Sequence, residues 1–266
     1  MKEFIQIKSR IDNINLVLNI PEGWNKEKLM LTCHGFDSGR DSQGLVKFEE
    51  DIAKNGIACA RFSLPYHAER RNNPNDLTVD NCIEDMEKVE KEIRKRYPNA
   101  KIGICSTSFG AYLTLLKLKR RENNYFSIIL KSPAIKMDEI LVNTLIDDDY
   151  EKFKEKRYSV RYKKETPMIV TYGFYEDLME NKIFDLGKYD EKMLIYHAID
   201  DDTAPCEDTQ RFANENPNSK LILLKNEFHR FTFKKLDELH VEMVNWINTG
   251  NFNDYKTLIK QDENER

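Results

Sequence analysis

The chain has little cysteine, no long apolar run and no excess of positive charge. Its five cysteines, at positions 33, 59, 82, 105 and 206 of 266, form no C-x-x-C pair and no zinc-type spacing. An odd, scattered set in a chain this long reads as reduced, mostly core cysteines, so neither a disulfide framework nor a metal site is expected. No run approaches the roughly 18 apolar residues needed to span a bilayer. Residues 1 to 20 alternate apolar and polar positions, which breaks up any signal-peptide core. The expectation is a cytoplasmic protein with no membrane span. The 42 basic residues are outnumbered by 46 acidic ones, for a formal charge of −4, so no global field favours nucleic acid as a partner. Internal repeats and low-complexity tracts are also missing.

What is present is enough for a folded core. Hydrophobic residues make up 40% and charged residues 33%, with a mean hydropathy of −0.68. That is polar, yet 28 aromatics and many Ile and Leu exclude wholesale disorder. The length fits one or two domains. Short apolar runs predict strands: Phe4–Ile7 and Ile14–Ile20 as an N-terminal hairpin, then 28–33, 57–62, 101–105, 126–130, 193–196 and 221–224. Between them lie helical stretches, at 42–54, 109–120, 205–215 and 236–247. The clearest runs from Thr78 to Tyr97, where Val79, Cys82, Ile83, Met86, Val89 and Ile93 recur at three- and four-residue steps before Pro98. Residues 66–77 read as a polar loop. Strands alternating with helices imply a mostly parallel sheet covered on both faces, with chemistry at the carboxyl ends of its strands.

Four of those ends carry reactive or small residues. After 101–105 comes Ser106-Thr107-Ser108-Phe109-Gly110. A small-x-Ser-x-Gly passage from strand straight into helix forces a sharp turn that exposes its middle residue. Ser108 is therefore a candidate nucleophile, with the Phe109 N–H as an oxyanion donor; taken alone, the same residues would serve an ordinary serine-rich helix cap. His229, after the last strand, supplies a base, and Asp201, after the preceding strand, an orienting acid. The order Ser108, Asp201, His229 is that of a strand-end triad in this architecture. Asp200 and Asp202 compete with Asp201 for the acid role, while His197 and His240 are weaker candidates for the base. After 28–33 comes His34-Gly35-Phe36. The Phe36 N–H is the expected second oxyanion donor, and His34 reads as structural.

On these motifs the sequence resembles the α/β-hydrolase superfamily of serine hydrolases. It is most similar to the bacterial cinnamoyl and feruloyl esterase-like group, over about residues 14 to 250. The resemblance implies an α/β-hydrolase fold: a mostly parallel central sheet with helices on both faces and a small cap insertion. Core residues 1–135 and 192–250 would flank a cap at 136–191, followed by a polar tail at 251–266. The segment Ala60-Arg61-Phe62-Ser63-Leu64-Pro65-Tyr66-His67 stands where that group has Arg-Phe-Asp followed by Gly-His-Gly, so Ser63 and Tyr66 depart from the pattern. Ser106 likewise replaces the first Gly of G-x-S-x-G, and Ala198 the Gly before the acid.

The expected activity is cleavage of a carboxylic ester through an acyl-enzyme, with no metal and no organic cofactor. A thioesterase or acyltransferase would use the same triad, and a non-catalytic binding protein of the same fold is the alternative from another class. The partner is a small-molecule ester or thioester. Residues 136–191 hold nine of the 28 aromatics, with Tyr172, Phe174 and Tyr175 foremost for an acyl or aromatic pocket unless they only pack the insertion onto the core. The same segment carries 14 acidic against 10 basic residues, which disfavours strongly anionic substrates.

Overall fold

A computed structural model describes residues 1–162 and 166–251. The expected tail lies outside the described residues except for Asn251.

Ten strands and eight α-helices are described. In chain order they are β1 (Lys2–Ile7), β2 (Ile14–Asn19), β3 (Lys28–Cys33), α1 (Gln43–Ala53), β4 (Ala58–Arg61), α2 (Val79–Arg96), β5 (Lys101–Thr107), α3 (Phe109–Arg120) and β6 (Ile128–Lys131). There follow α4 (Met137–Ile140), α5 (Tyr150–Lys156), β7 (Tyr158–Arg161), β8 (Met168–Thr171) and α6 (Tyr172–Glu180). The chain closes with β9 (Met193–Ala198), α7 (Cys206–Glu215), β10 (Ser219–Leu224) and α8 (Phe233–Thr249). Eight strands form one sheet in the order β1-β2-β4-β3-β5-β6-β9-β10. From β4 to β10 every neighbouring pair is parallel, and β2 joins β4 antiparallel.

The central strands are buried along nearly their whole length because helices cover both faces. On one face, α2 and α3 pack Val79, Ile83, Met86, Leu113 and Leu116 against Leu29, Leu31, Ile102 and Ile104. On the other, Phe48 and Ile52 of α1 and Leu239, Met243 and Trp246 of α8 meet Met30, Cys59, Cys105 and Ile129. Truncating one such side chain to Ala costs about 2–5 kcal/mol. All five cysteines are buried thiols. In α2, Thr78 caps the first turn by accepting from the Asn81 N–H, and Arg94, Lys95 and Arg96 sit in the last turn, opposite the partial negative charge of the helix end.

Several local expectations shift. The strand expected at 126–130 is Ile128–Lys131, which makes Lys131 its last residue. The loop at 66–77 contains two short 3-10 turns, Ala68–Arg70 and Pro74–Asp76. Only Met168 to Tyr172 reads as a strand in the charged segment after β6, but β7 pairs with β8 there as a separate antiparallel hairpin. Hydrogen bonds that tie this segment to the sheet domain include these four. The Asp177 carboxylate accepts the Val79 N–H at the start of α2 (2.6 Å), and Tyr112 donates to the Asn181 carbonyl (2.7 Å). Arg71 donates to the Thr166 carbonyl (2.7 Å), and the Tyr66 hydroxyl accepts the Ile169 N–H (3.2 Å). Tyr66 takes a left-handed backbone (φ +58°) where the resembling proteins carry Gly, and its ring bridges to the hairpin.

Candidate active site

The turn from β5 to α3 holds Ser108 at φ +53°, ψ −117°, a strained conformation for an L-residue. The surroundings over-determine it. The Ser108 N–H donates to the Lys131 carbonyl (2.9 Å), and its own carbonyl accepts from Ala111 (2.9 Å) and Ala134 (3.3 Å). The packing also explains the small residues nearby. A Cβ on Gly110 would sit 2.5 Å from the Cys33 carbonyl oxygen and 2.6 Å from that of His34, so α3 crosses the end of β3 at backbone contact. A Cβ on Gly35 would meet that of Ser108 at 3.3 Å. Ser106 is fully buried and satisfied: its Oγ lies 2.7 Å from Thr114 Oγ1, which donates to the Gly110 carbonyl at 2.8 Å.

Two loops from the carboxyl edge meet at this turn. His229, between β10 and α8, places Nε2 3.0 Å from Ser108 Oγ. Its Nδ1 lies 2.8 Å from Asp201 Oδ2 and 3.0 Å from Oδ1. Asp201 follows β9, and its Oδ1 also accepts the N–H groups of Thr203 (2.9 Å) and Ala204 (2.8 Å). Burial works against the Asp201 carboxylate, but the hydrogen bonds from His197, His229 and Ala204 outweigh it and hold the acid well below the usual carboxylate range. Asp200 and Asp202 are not on the imidazole; Asp202 accepts from the Thr203 hydroxyl (3.3 Å). Glu227 braces the His229 loop by accepting the Thr232 N–H (2.7 Å) and hydroxyl (2.8 Å).

The remaining candidates separate clearly. His34 is buried and ties down its own loop: Nδ1 donates to the Gly35 carbonyl (2.8 Å) and Nε2 accepts the Leu64 N–H (2.9 Å). Phe109 opens α3, where the N–H groups of its first two residues lack intrahelical acceptors. Phe36 borders both cavities that reach Ser108. His240 is remote from Ser108; its Nδ1 donates to Asp51 on α1 (2.8 Å). His197 is fully buried at 3.1 Å from Asp201 Oδ2, behind the acid and not beside the serine.

Sequence reading missed Asp37. It takes a left-handed backbone (φ +53°) and lies between Arg71 (2.7 Å) and Arg161 (3.3 Å), fixing the chain just past Phe36. An Asp tolerates that backbone better than most residues, but nothing in its neighbourhood marks it.

The larger cavity, about 1130 Å³, runs from Ser108 and His229 past Phe36 and Lys131 to Leu45 on α1 and Leu236 on α8. A smaller one of about 210 Å³ lies toward Thr144, Leu145 and Arg161. Tyr172, Phe174 and Tyr175 are in the walls of neither. Phe174 is buried with its ring stacked on Phe36 (centroids 6.0 Å apart) and edge-on to Phe109 (5.8 Å). Tyr172 and Tyr175 pack with Tyr150 and Phe153 in a separate aromatic cluster. These three expected pocket residues thus build the packing behind the site and do not face its cavities.

No family model matches the sequence, and no curated protein matches it. The strand order, the helices on both faces and the strand-end turn carrying Ser108 define an α/β-hydrolase fold. Solved structures agree. The chain is similar to Est1E from Butyrivibrio proteoclasticus, determined with ferulic acid bound, at 17% identity and a TM-score of 0.80, covering 92% of this chain and 98% of that one. It is similar to the mouse α/β hydrolase domain-containing protein 10 at 17% identity and a TM-score of 0.73, covering 94% and 100%. An α-β serine hydrolase homologue from Coxiella burnetii matches at 14% identity and a TM-score of 0.64, covering 91% and 96%. Among the described residues no helix is long and apolar enough to cross a membrane.

Proposed function

We propose that the protein is a serine hydrolase that cleaves carboxylic esters through Ser108, His229 and Asp201. The observation that carries this reading is the continuous contact from Ser108 Oγ to His229 Nε2 (3.0 Å) and from His229 Nδ1 to Asp201 Oδ2 (2.8 Å). His229 Nδ1–H donates to Asp201, which leaves Nε2 as the acceptor for the serine proton. As Ser108 Oγ attacks the carbonyl carbon, the proton passes to Nε2, and the buried carboxylate stabilises the imidazolium. The carbonyl oxygen becomes an oxyanion, received by the Phe36 and Phe109 N–H groups. His229 then returns its proton to the departing alcohol, and water cleaves the acyl-enzyme by the same path in reverse.

The likeness to esterases supports the ester over other acyl substrates, and the ferulic acid bound by Est1E fits an acyl pocket of aromatic size. Residues 136–191 act in this reading as a cap on the core, which their hydrogen bonds through Asp177, Tyr112, Arg71 and Tyr66 support.

Labelling with a fluorophosphonate probe tests the proposal. The wild type takes up the probe, and Ser108→Ala abolishes both labelling and p-nitrophenyl ester turnover, the latter by about four orders of magnitude or more. A well-folded wild type that stays unlabelled and inactive would instead be a binding protein. Turnover confined to acyl-CoA substrates would move the assignment to a thioesterase.

A further inference from the structure

Lys131 ends β6 one strand away from the nucleophile, paired in register with Thr107. Its residue exposure is only 5%, yet it lines the larger cavity. Its side chain makes no ion pair or hydrogen bond with any described residue; Nζ sits over the Phe48 ring, 5.9 Å from its centroid. A buried ammonium without a partner costs several kcal/mol, so its counter-charge is expected to come from what fills the cavity.

The rest of the wall has the same bias. Arg230 lines both cavities and has no partner among the described residues. Ser42, Gln43 and Gly44, where α1 begins, also line the larger cavity. That first turn holds no acidic residue, and the Gln43 and Gly44 N–H groups lack intrahelical acceptors. The acids of the same wall are already neutralised. Asp41 is paired with Arg61 (2.8 Å) and Arg40 (3.3 Å), and Glu69 with Arg40 (3.1 Å). The third wall cation, Arg71, is taken by Asp37 (2.7 Å). What is left uncompensated is positive, although the whole chain is acidic.

We propose that this cavity is an anion-binding subsite, in which Lys131, Arg230 and the first turn of α1 receive a carboxylate carried by the ester substrate. The proposal rests on the hydrolase reading for the word substrate; the subsite itself does not.

Two matched pairs of esters test it. Mono-p-nitrophenyl adipate against p-nitrophenyl hexanoate places the carboxylate on the acyl side, and 4-carboxyphenyl hexanoate against phenyl hexanoate places it on the alcohol side. In one pair, kcat/KM for the charged ester is expected to exceed that of its neutral partner by about tenfold or more. Added salt and Lys131→Met should each shrink that ratio toward one. Arg230→Gln, at an exposed position, gives a second variant if Lys131→Met does not fold. A wild-type ratio at or below one in both pairs overturns the proposal, as does a preference that survives these changes.

Calorimetry on Ser108→Ala with adipate and with 4-hydroxybenzoate decides the subsite without turnover. Binding of either anion that weakens about tenfold in Ser108→Ala/Lys131→Met supports it, and no binding of either sinks it. A protein that binds these anions but cleaves no ester refutes the hydrolase reading and leaves the subsite standing.

Discussion

His197 Nε2 lies 3.1 Å from Asp201 Oδ2, so two imidazoles share one buried carboxylate. His197 Nε2 is also 3.0 Å from the Ala204 carbonyl oxygen. Both neighbours are acceptors, so Nε2 carries the proton and donates to them. Its Nδ1 has no partner among the described residues. His197 is thus a positioning residue for the acid.

Removing that donor should leave Asp201 more basic and drawn more strongly to His229. In His197→Phe the acid limb of the kcat/KM profile is expected to move to higher pH, and kcat to fall about tenfold to a hundredfold. His197→Gln, which keeps an N–H at similar reach, should restore most of both. A profile unmoved in His197→Phe would reduce His197 to core packing.

Gly110→Ala tests the close crossing of α3 and β3. The new Cβ would meet two backbone oxygens at 2.5 and 2.6 Å, and backbone cannot swing aside as a flexible side chain can. The proposed ester turnover should be lost together with about 2 kcal/mol or more of stability in urea titration. Ser106→Ala at the neighbouring small position should be far milder, because Thr114 keeps its bond to the Gly110 carbonyl. Equal effects of the two substitutions would refute this account of the turn.

His240 sets a pH dependence of stability. Burial, with Lys131 nearby, lowers its pKa to about 4 against the opposing pull of Asp51. Between pH 4 and about 6.5 the unfolded chain therefore binds a proton that the folded chain refuses. This contribution is complete above about pH 6.5 and is lost as the pH falls toward 4. Urea midpoints should drop between pH 7 and pH 5, and His240→Gln should flatten the drop. A slope unchanged in that variant would place the sensitivity in other groups.

Much of the sheet was legible because its strands are short apolar runs punctuated by turn residues. The Ser108 turn was legible because close packing there demands Ser106 and Gly110. His229 could be picked by position after a strand and Asp201 from its acidic neighbours by its spacing to Pro205; the structure brings His229 to Ser108 and Asp201 to His229. The hairpin was not legible at β7, where Tyr158-Ser159-Val160-Arg161 is only four residues long and follows directly on the charged α5. Composition alone could not say which aromatics face a cavity: Phe174 turns into the packing behind Phe36, while Tyr172 and Tyr175 find each other. Nor could net charge reveal Lys131, since a balance summed over a segment says nothing of which ions already have partners.

His229, which touches Ser108, is delivered by the loop after β10, the last of the described strands in chain order. A nascent chain that has completed only β5 and α3 can form the strained turn, but its hydroxyl has no acceptor for its proton. In the proposed reaction Ser108 would therefore become reactive only once β10 and the loop after it have been made, and a product terminated before them would carry an inert serine.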